Sequence, residues 1–116
     1  MRFHRRFEKA VAAINERRHR DPKIQQALDR YHNRSFVFKV RKDATYVFCI
    51  SKDGVEYQVN PANEPNDMYV EMDLDKAKRL VYRQSLGIFD MLSVVHRNIG
   101  MAEIDFAKKL FGEKKT

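Results

Sequence analysis

From Ser35 to Asp73 the chain alternates apolar and polar side chains in four short runs. In SFVFKVR, Phe36, Phe38 and Val40 point one way while Val37, Lys39 and Arg41 point the other. In TYVFCI, Tyr46, Phe48 and Ile50 oppose Thr45, Val47 and Cys49. In VEYQV, Val55, Tyr57 and Val59 oppose Glu56 and Gln58. In MYVEM, Met68, Val70 and Met72 oppose Tyr69 and Glu71. A side-chain period of two is the mark of a half-buried strand. The runs therefore predict an antiparallel sheet with one large face rich in aromatics and methionine.

The punctuation between the runs fits hairpins. Lys42-Asp43-Ala44 is a short connection. Lys52-Asp53-Gly54 is a stronger turn signal, because glycine adopts positive φ freely and keeps the strand twist. Residues 60–67, NPANEPND, form a longer exposed loop.

Helical patterns flank the strands. Over residues 3–20, Phe3, Phe7, Ala10, Val11 and Ile14 make one stripe at spacings of three and four. Asp21-Pro22 reads as a helix start, with Asp as N-cap and Pro in the first turn. The second piece, 22–32, carries Ile24, Leu28 and Tyr31. After the fourth strand, Asp73 is placed as N-cap of a helix over 74–84. Residues 88–96, IFDMLSVVH, are apolar on more than one side and predict a helix that is either deeply buried or faces an apolar cavity. A short fifth strand is expected at 97–101. A helix over 103–111 follows, with Gly112 as its C-terminal cap. Strands cluster and helices flank them, which implies an α+β fold. One sheet face should meet water and the other should lie under helices.

The 116 residues suit one domain, residues 1–116, with 1–34 as a basic N-terminal helical arm. The net charge is +7. Residues 1–34 hold ten Lys and Arg against four Asp and Glu, so almost all the excess lies there. The lone Cys49 forms no internal disulfide, and no apolar run approaches the ~20 residues of a membrane span. A cytoplasmic location is expected.

Catalytic chemistry has little support. His4, His19, His32 and His96 are scattered, without metal-ligand spacing to one another or to Cys49. The four glycines are isolated, so no phosphate-cradling loop exists. Ser93 and His96 lie three apart with no third group to orient the histidine. No catalytic residue, metal or cofactor is assigned. The basic arm admits a nucleic-acid-binding alternative, with Tyr31, His32 or Phe38 stacking on bases. Against it, the strands lack an RNA-binding aromatic signature, and their aromatics share faces with Val and Ile. A dimerising module using the Phe3, Phe7 and Val11 stripe is another reading, so both monomer and homodimer stay open. A third is an apolar ligand beside Met68, Met72, Met91 and Met101, since methionine adapts to irregular shapes.

From residue 24 onward the order and texture resemble the sterol carrier protein type 2 domain, the nonspecific lipid-transfer family. The resemblance rests on FVFKV, on TYVFCISKDGVEYQV as a hairpin, and on DMYVEMDLDKAKRLV as a strand running into a helix. It continues through the apolar segment ending at Val95 and closes on AEIDFAKKLF. Ala102-Glu103 stand where that family usually has Gly-Asp, a departure from the pattern.

The resemblance implies a five-stranded, mostly antiparallel sheet with helices over one face and an apolar cavity between them. It implies non-enzymatic binding of a fatty acid, acyl-CoA or sterol-like lipid. Phe36, Phe38, Phe48, Ile50, Tyr57, Val70 and Met72 would form the sheet wall of a tunnel. Leu80, Ile88, Phe89, Leu92 and Val95 would close the lid side, with Phe106 and Leu110 from the last helix. The basic arm would approach an anionic membrane or an acyl-CoA phosphate.

Overall fold

Strand β1, Ser35–Val40, is the centre of the architecture. In the computed structural model the described residues are 2–83 and 94–111, with side chains described for 2–82 and 94–107. The segment from β1 to β2 (Ala44–Ser51) turns through Arg41-Lys42-Asp43, with Lys42 at φ 67°. β2 pairs antiparallel with β3 (Gly54–Val59) across a two-residue turn, Lys52-Asp53. Gly54, where β3 begins, has φ +136°, a conformation that disfavours side chains. β4, Met68–Met72, lies parallel along the other edge of β1, and β5, Val95–Arg97, runs antiparallel to β4. The sheet is five-stranded and mixed, in the order β3-β2-β1-β4-β5. Three of its four pairings are antiparallel, and only β1–β4 is parallel.

The register keeps every predicted face intact. Phe38 stands opposite Tyr46 and Val70, and Phe48 opposite Phe36 and Tyr57. Partners in a ladder project to the same side, so the large aromatics and methionines share the inner face.

Among the described residues, four helices join the sheet. α1, His4–Arg17, and α2, Pro22–Arg30, are separate elements joined by a turn. Asp21 caps α2 by accepting from the Lys23 amide at 3.0 Å. α3, Leu74–Lys78, is capped by Asp73, which accepts from the Lys76 amide at 2.8 Å. The single helix expected over 74–84 instead widens into a π-helical turn at Arg79–Arg83. α4, Met101–Phe111, starts two residues before the predicted 103. Its Glu103 carboxylate accepts from the Gly100 amide at 2.7 Å, half of a capping box.

Two expectations are corrected. The strand predicted at 97–101 lies at 95–97, so Val95 and His96 belong to it rather than to a helix over 88–96. Residues 88–93 of that segment, including Ile88, Phe89, Leu92 and Ser93, lie outside the described residues, as do Gly112 and the Leu110 side chain. The outer face, expected to meet water, is buried at its centre: Val37 is 0% and Val47 1% exposed, beside Tyr69. Topology supplies a cover. β3 ends at the end of β1, whereas β4 starts at the beginning of β1. The 60–67 connection must therefore travel back across the sheet, and α1 and α2 already occupy the inner side. It is tied at both ends. The Asn60 amide donates to the Thr45 carbonyl at 2.7 Å, and Asp67 accepts from Arg34 and the Ser35 amide.

Candidate functional site

Among the described residues, the inner face gathers most of the large apolar side chains into one cluster. Of the sheet residues assigned from the sequence, Phe38, Phe48, Ile50, Val70 and Met72 are buried in it, and Phe36 and Tyr57 pack at its edge. Leu80, from the π-helical turn, packs against the same cluster. Phe106 of α4 is buried on the ring of Tyr31, with centroids 4.0 Å apart. Val95 does not join them. It pairs with Glu71, on the outer side of the sheet, and is 51% exposed.

The N-terminal helix sets the geometry over β1, β2 and β3. Phe7 inserts its ring among four aromatics of the sheet: Tyr46 at 4.9 Å, Phe48 at 5.2 Å, Phe38 at 5.7 Å and Tyr57 at 6.2 Å. All four contacts are edge-on, the geometry aromatic quadrupoles favour. Phe3 is fully buried behind it, 6.1 Å from Tyr46. Over this half of the sheet, side chains of sheet and helix touch. The Phe3 and Phe7 stripe, read as an optional dimer interface, is consumed inside the chain. Tyr31 and Phe38, considered as base-stacking residues, are buried too, which removes that use. His32 instead accepts from the Lys52 amide at 2.9 Å.

The phenols in this apolar region are all satisfied. Tyr46 donates to Asp43 and accepts from the Phe3 amide at 3.2 Å. Burial, reinforced by the Asp43 hydrogen bond, pushes its hydroxyl far above the ordinary range. Tyr57 shares a 3.2 Å hydrogen bond with His4 Nδ1, and burial pushes it up to about 12. Tyr31 donates to Glu103 at 3.0 Å, and burial followed by that carboxylate raises it. These hydroxyls stay protonated at neutral pH and are committed to internal partners. The described inner face offers apolar carbon, not acid–base chemistry.

Polar groups instead fasten the elements around it. Arg34 makes a forked hydrogen-bond pair to Asp67, Nε at 2.9–3.0 Å and Nη2 at 2.7 Å, joining the starts of β1 and β4. The guanidinium holds the Asp67 carboxyl below the usual carboxylate range, against the opposing effect of burial. Asn98 donates to the Asp67 carbonyl at 3.2 Å, bringing in the loop after β5. The stripe of α1 was legible as amphipathic, but its destination was not. Phe7 at the middle of the sheet is the residue that sequence reasoning missed.

No protein-family model matches the chain, and no characterised protein matches it by sequence. Solved structures do match in fold. A protein described as "UbiJ-SCP2 Ubiquinone synthesis protein" superposes with a TM-score of 0.59 at 15% identity, covering 88% of this chain and 84% of its own. The inverting sec-alkylsulfatase Pisa1 from Pseudomonas sp. gives 0.57 at 10% identity over 78% of this chain. A double mutant of that sulfatase gives 0.56 at 12% identity. The chain spans only 14% of either sulfatase chain. The fold is α+β and similar to the sterol carrier protein type 2 domain.

Proposed function

We propose that the protein binds and carries a lipid, such as a fatty acid, acyl-CoA or sterol-like molecule, without transforming it. The observation that carries this reading is the continuous apolar inner face, roofed by helices, in a fold similar to that of the UbiJ-SCP2 protein. Because Phe7 fills the space over β1–β3, the ligand is assigned to the β1–β4 half. Val70, Met72, Leu80 and Phe106 belong to the same apolar cluster and would line it there. Phe36 and Phe38 of β1 would flank that space, whereas Phe48, Ile50 and Tyr57, assigned to the same wall, belong to the β2–β3 side that α1 covers. The assignment of Ile88, Phe89, Leu92 and Leu110 to the lid side belongs to the same proposal. Methionine at Met68 and Met72 suits a ligand of irregular shape.

Affinity would come from methylene burial, about 0.8 kcal/mol each. The exposed Arg5, Arg6 and Lys9 of α1 would face an anionic membrane or an acyl-CoA phosphate in the cytoplasm. Among the described residues, no helix is long and apolar enough to cross a membrane. Native mass spectrometry of the purified protein, followed by titration of the delipidated form with a fluorescent long-chain fatty acid, tests the reading. Co-purified lipid or saturable micromolar binding supports it. A chain that carries no lipid and binds none is not a lipid carrier.

A further inference from the structure

An open depression of about 550 Å3 lies on the face of α3 and the π-helical turn, lined by Asp75, Lys78, Arg79 and Tyr82. Spacings of three and four place these side chains on one helical face. Among the described residues, neither cation has an ion-pair partner, and Asp75 is unpaired as well. Tyr82 is 43% exposed. Its position is fixed from behind by Phe3, 5.4 Å away between centroids, and by a 3.4 Å hydrogen bond to the Arg2 carbonyl. Arg6 lies over the same ring at 4.8 Å and donates through Nε to the Val81 carbonyl at 3.4 Å. A third cation is thereby held beside the depression. Among the described residues, the balance is three cations against one carboxylate, around a space open to solvent.

We propose that this depression binds a phosphate group, with Lys78 and Arg79 as direct ligands, Arg6 as a neighbouring charge and Tyr82 as the wall. A phosphate ester carries one to two negative charges, which complements the local excess. Arginine presents a planar fork of donors to phosphate oxygens, and lysine a mobile point charge. The π-helical turn contributes by widening the helix where Tyr82 must reach α1, a distortion common at functional positions. Asp75 weakens the site for an anion, so its removal strengthens binding. The same chemistry comes from a phospholipid headgroup or from a soluble phosphate ester.

The experiment titrates the intact 15N-labelled protein with inorganic pyrophosphate at low ionic strength. In parallel, it measures co-sedimentation with phosphatidylcholine vesicles with and without phosphatidylglycerol. Wild type is compared with K78Q/R79Q and with a control of equal charge change on exposed sites, K23Q/K52Q. Saturable shifts at Lys78, Arg79 and Tyr82 with pyrophosphate, weakened roughly tenfold in K78Q/R79Q alone, assign a soluble phosphate ester. Binding only to phosphatidylglycerol vesicles, with the same dependence, assigns a lipid headgroup. On the unperturbed cationic pair, Asp75→Asn should tighten whichever binding is seen by a few-fold. No binding in either arm overturns the proposal, as does an equal loss in both double variants or weaker binding in Asp75→Asn. Pyrophosphate has no acyl chain, so an apolar core closed to lipid would leave its arm unaffected.

Discussion

The ring of Phe7 stands edge-on to that of Phe48, with centroids 5.2 Å apart and planes at 83°. This contact decides how the two layers of the molecule relate. α1 seals the β1–β3 half of the inner face. The proposed apolar ligand would take the β4 side, with Val70, Met72, Leu80 and Phe106 of the same apolar cluster.

Truncating that ring should be costly. Phe7→Ala removes a buried phenyl group with four aromatic neighbours, and such changes destabilise by about 3–5 kcal/mol. Urea denaturation followed by circular dichroism should show the loss, with Phe7→Leu falling less. A change below about 1 kcal/mol would mean that α1 is not seated on the sheet as described.

Asn15 and Gly54 pin the other end of α1. Asn15 Oδ1 accepts from the Val55 amide at 2.7 Å, and its Nδ2 donates to the Val55 carbonyl at 3.1 Å. A Cβ at Gly54 would stand 2.4 Å from Asn15 Oδ1, on a backbone at φ +136°. Gly54→Ala should therefore strain the turn and displace Asn15, costing about 1–3 kcal/mol. In an Asn15→Ala background the same substitution should cost less, because the clash is gone while the φ penalty remains. Equal costs in the two backgrounds would show that the close approach does not matter.

The four long strands were legible because period-two alternation survives in each, and pairing kept those faces together. The cap at Asp73 was legible for a local reason: its side chain bonds an amide three residues on. What escaped was non-local. Nothing in MYVEM says that it lies parallel to β1, since the register is fixed by the Arg34–Asp67 pair and by the 60–67 crossover. β5 was misplaced because Val94 and Val95 end a run in which a buried helix and a strand look alike. The helix beginning at Asp73 was read through to residue 84 because composition does not mark a π-helical turn. The inner face was recognised as a candidate wall, but the partner that fills half of it is Phe7, some 30 residues upstream of β1 by sequence.

The Arg34–Asp67 pair gives the fold a defined acid sensitivity. Its folded carboxyl pKa is depressed, chiefly by the Arg34 hydrogen bonds. The stabilisation is complete above the unfolded value of about 3.9 and is lost as pH falls through the lower folded value. Glu71 and Glu103 are depressed as well and contribute in the same direction. The urea midpoint of the wild type should thus drop on acidification below about pH 4. Asp67→Asn should be about 1–2 kcal/mol less stable at neutral pH, with a shallower acid limb, because Arg34 is only partly exposed and loses a charged acceptor. An acid limb as steep as the wild type's would assign the effect to other carboxylates.

Lipid binding through an apolar inner face makes a quantitative demand on chain length. Each methylene buried is worth about 0.8 kcal/mol, so Kd should tighten about fourfold per carbon. A micromolar Kd corresponds to about −8 kcal/mol, which requires on the order of ten buried methylenes before the costs of association. Competition against a fluorescent fatty acid, run with saturated acids from octanoate to stearate below their critical micelle concentrations, should show that slope. The slope should flatten once the chain exceeds the space between β4 and the helices, and the break measures that space. Methyl esters of the same acids should keep the slope while shifting its intercept, since the headgroup contributes apart from the chain. Affinities that ignore chain length would place the ligand on the charged exterior, and the apolar face would then be core alone.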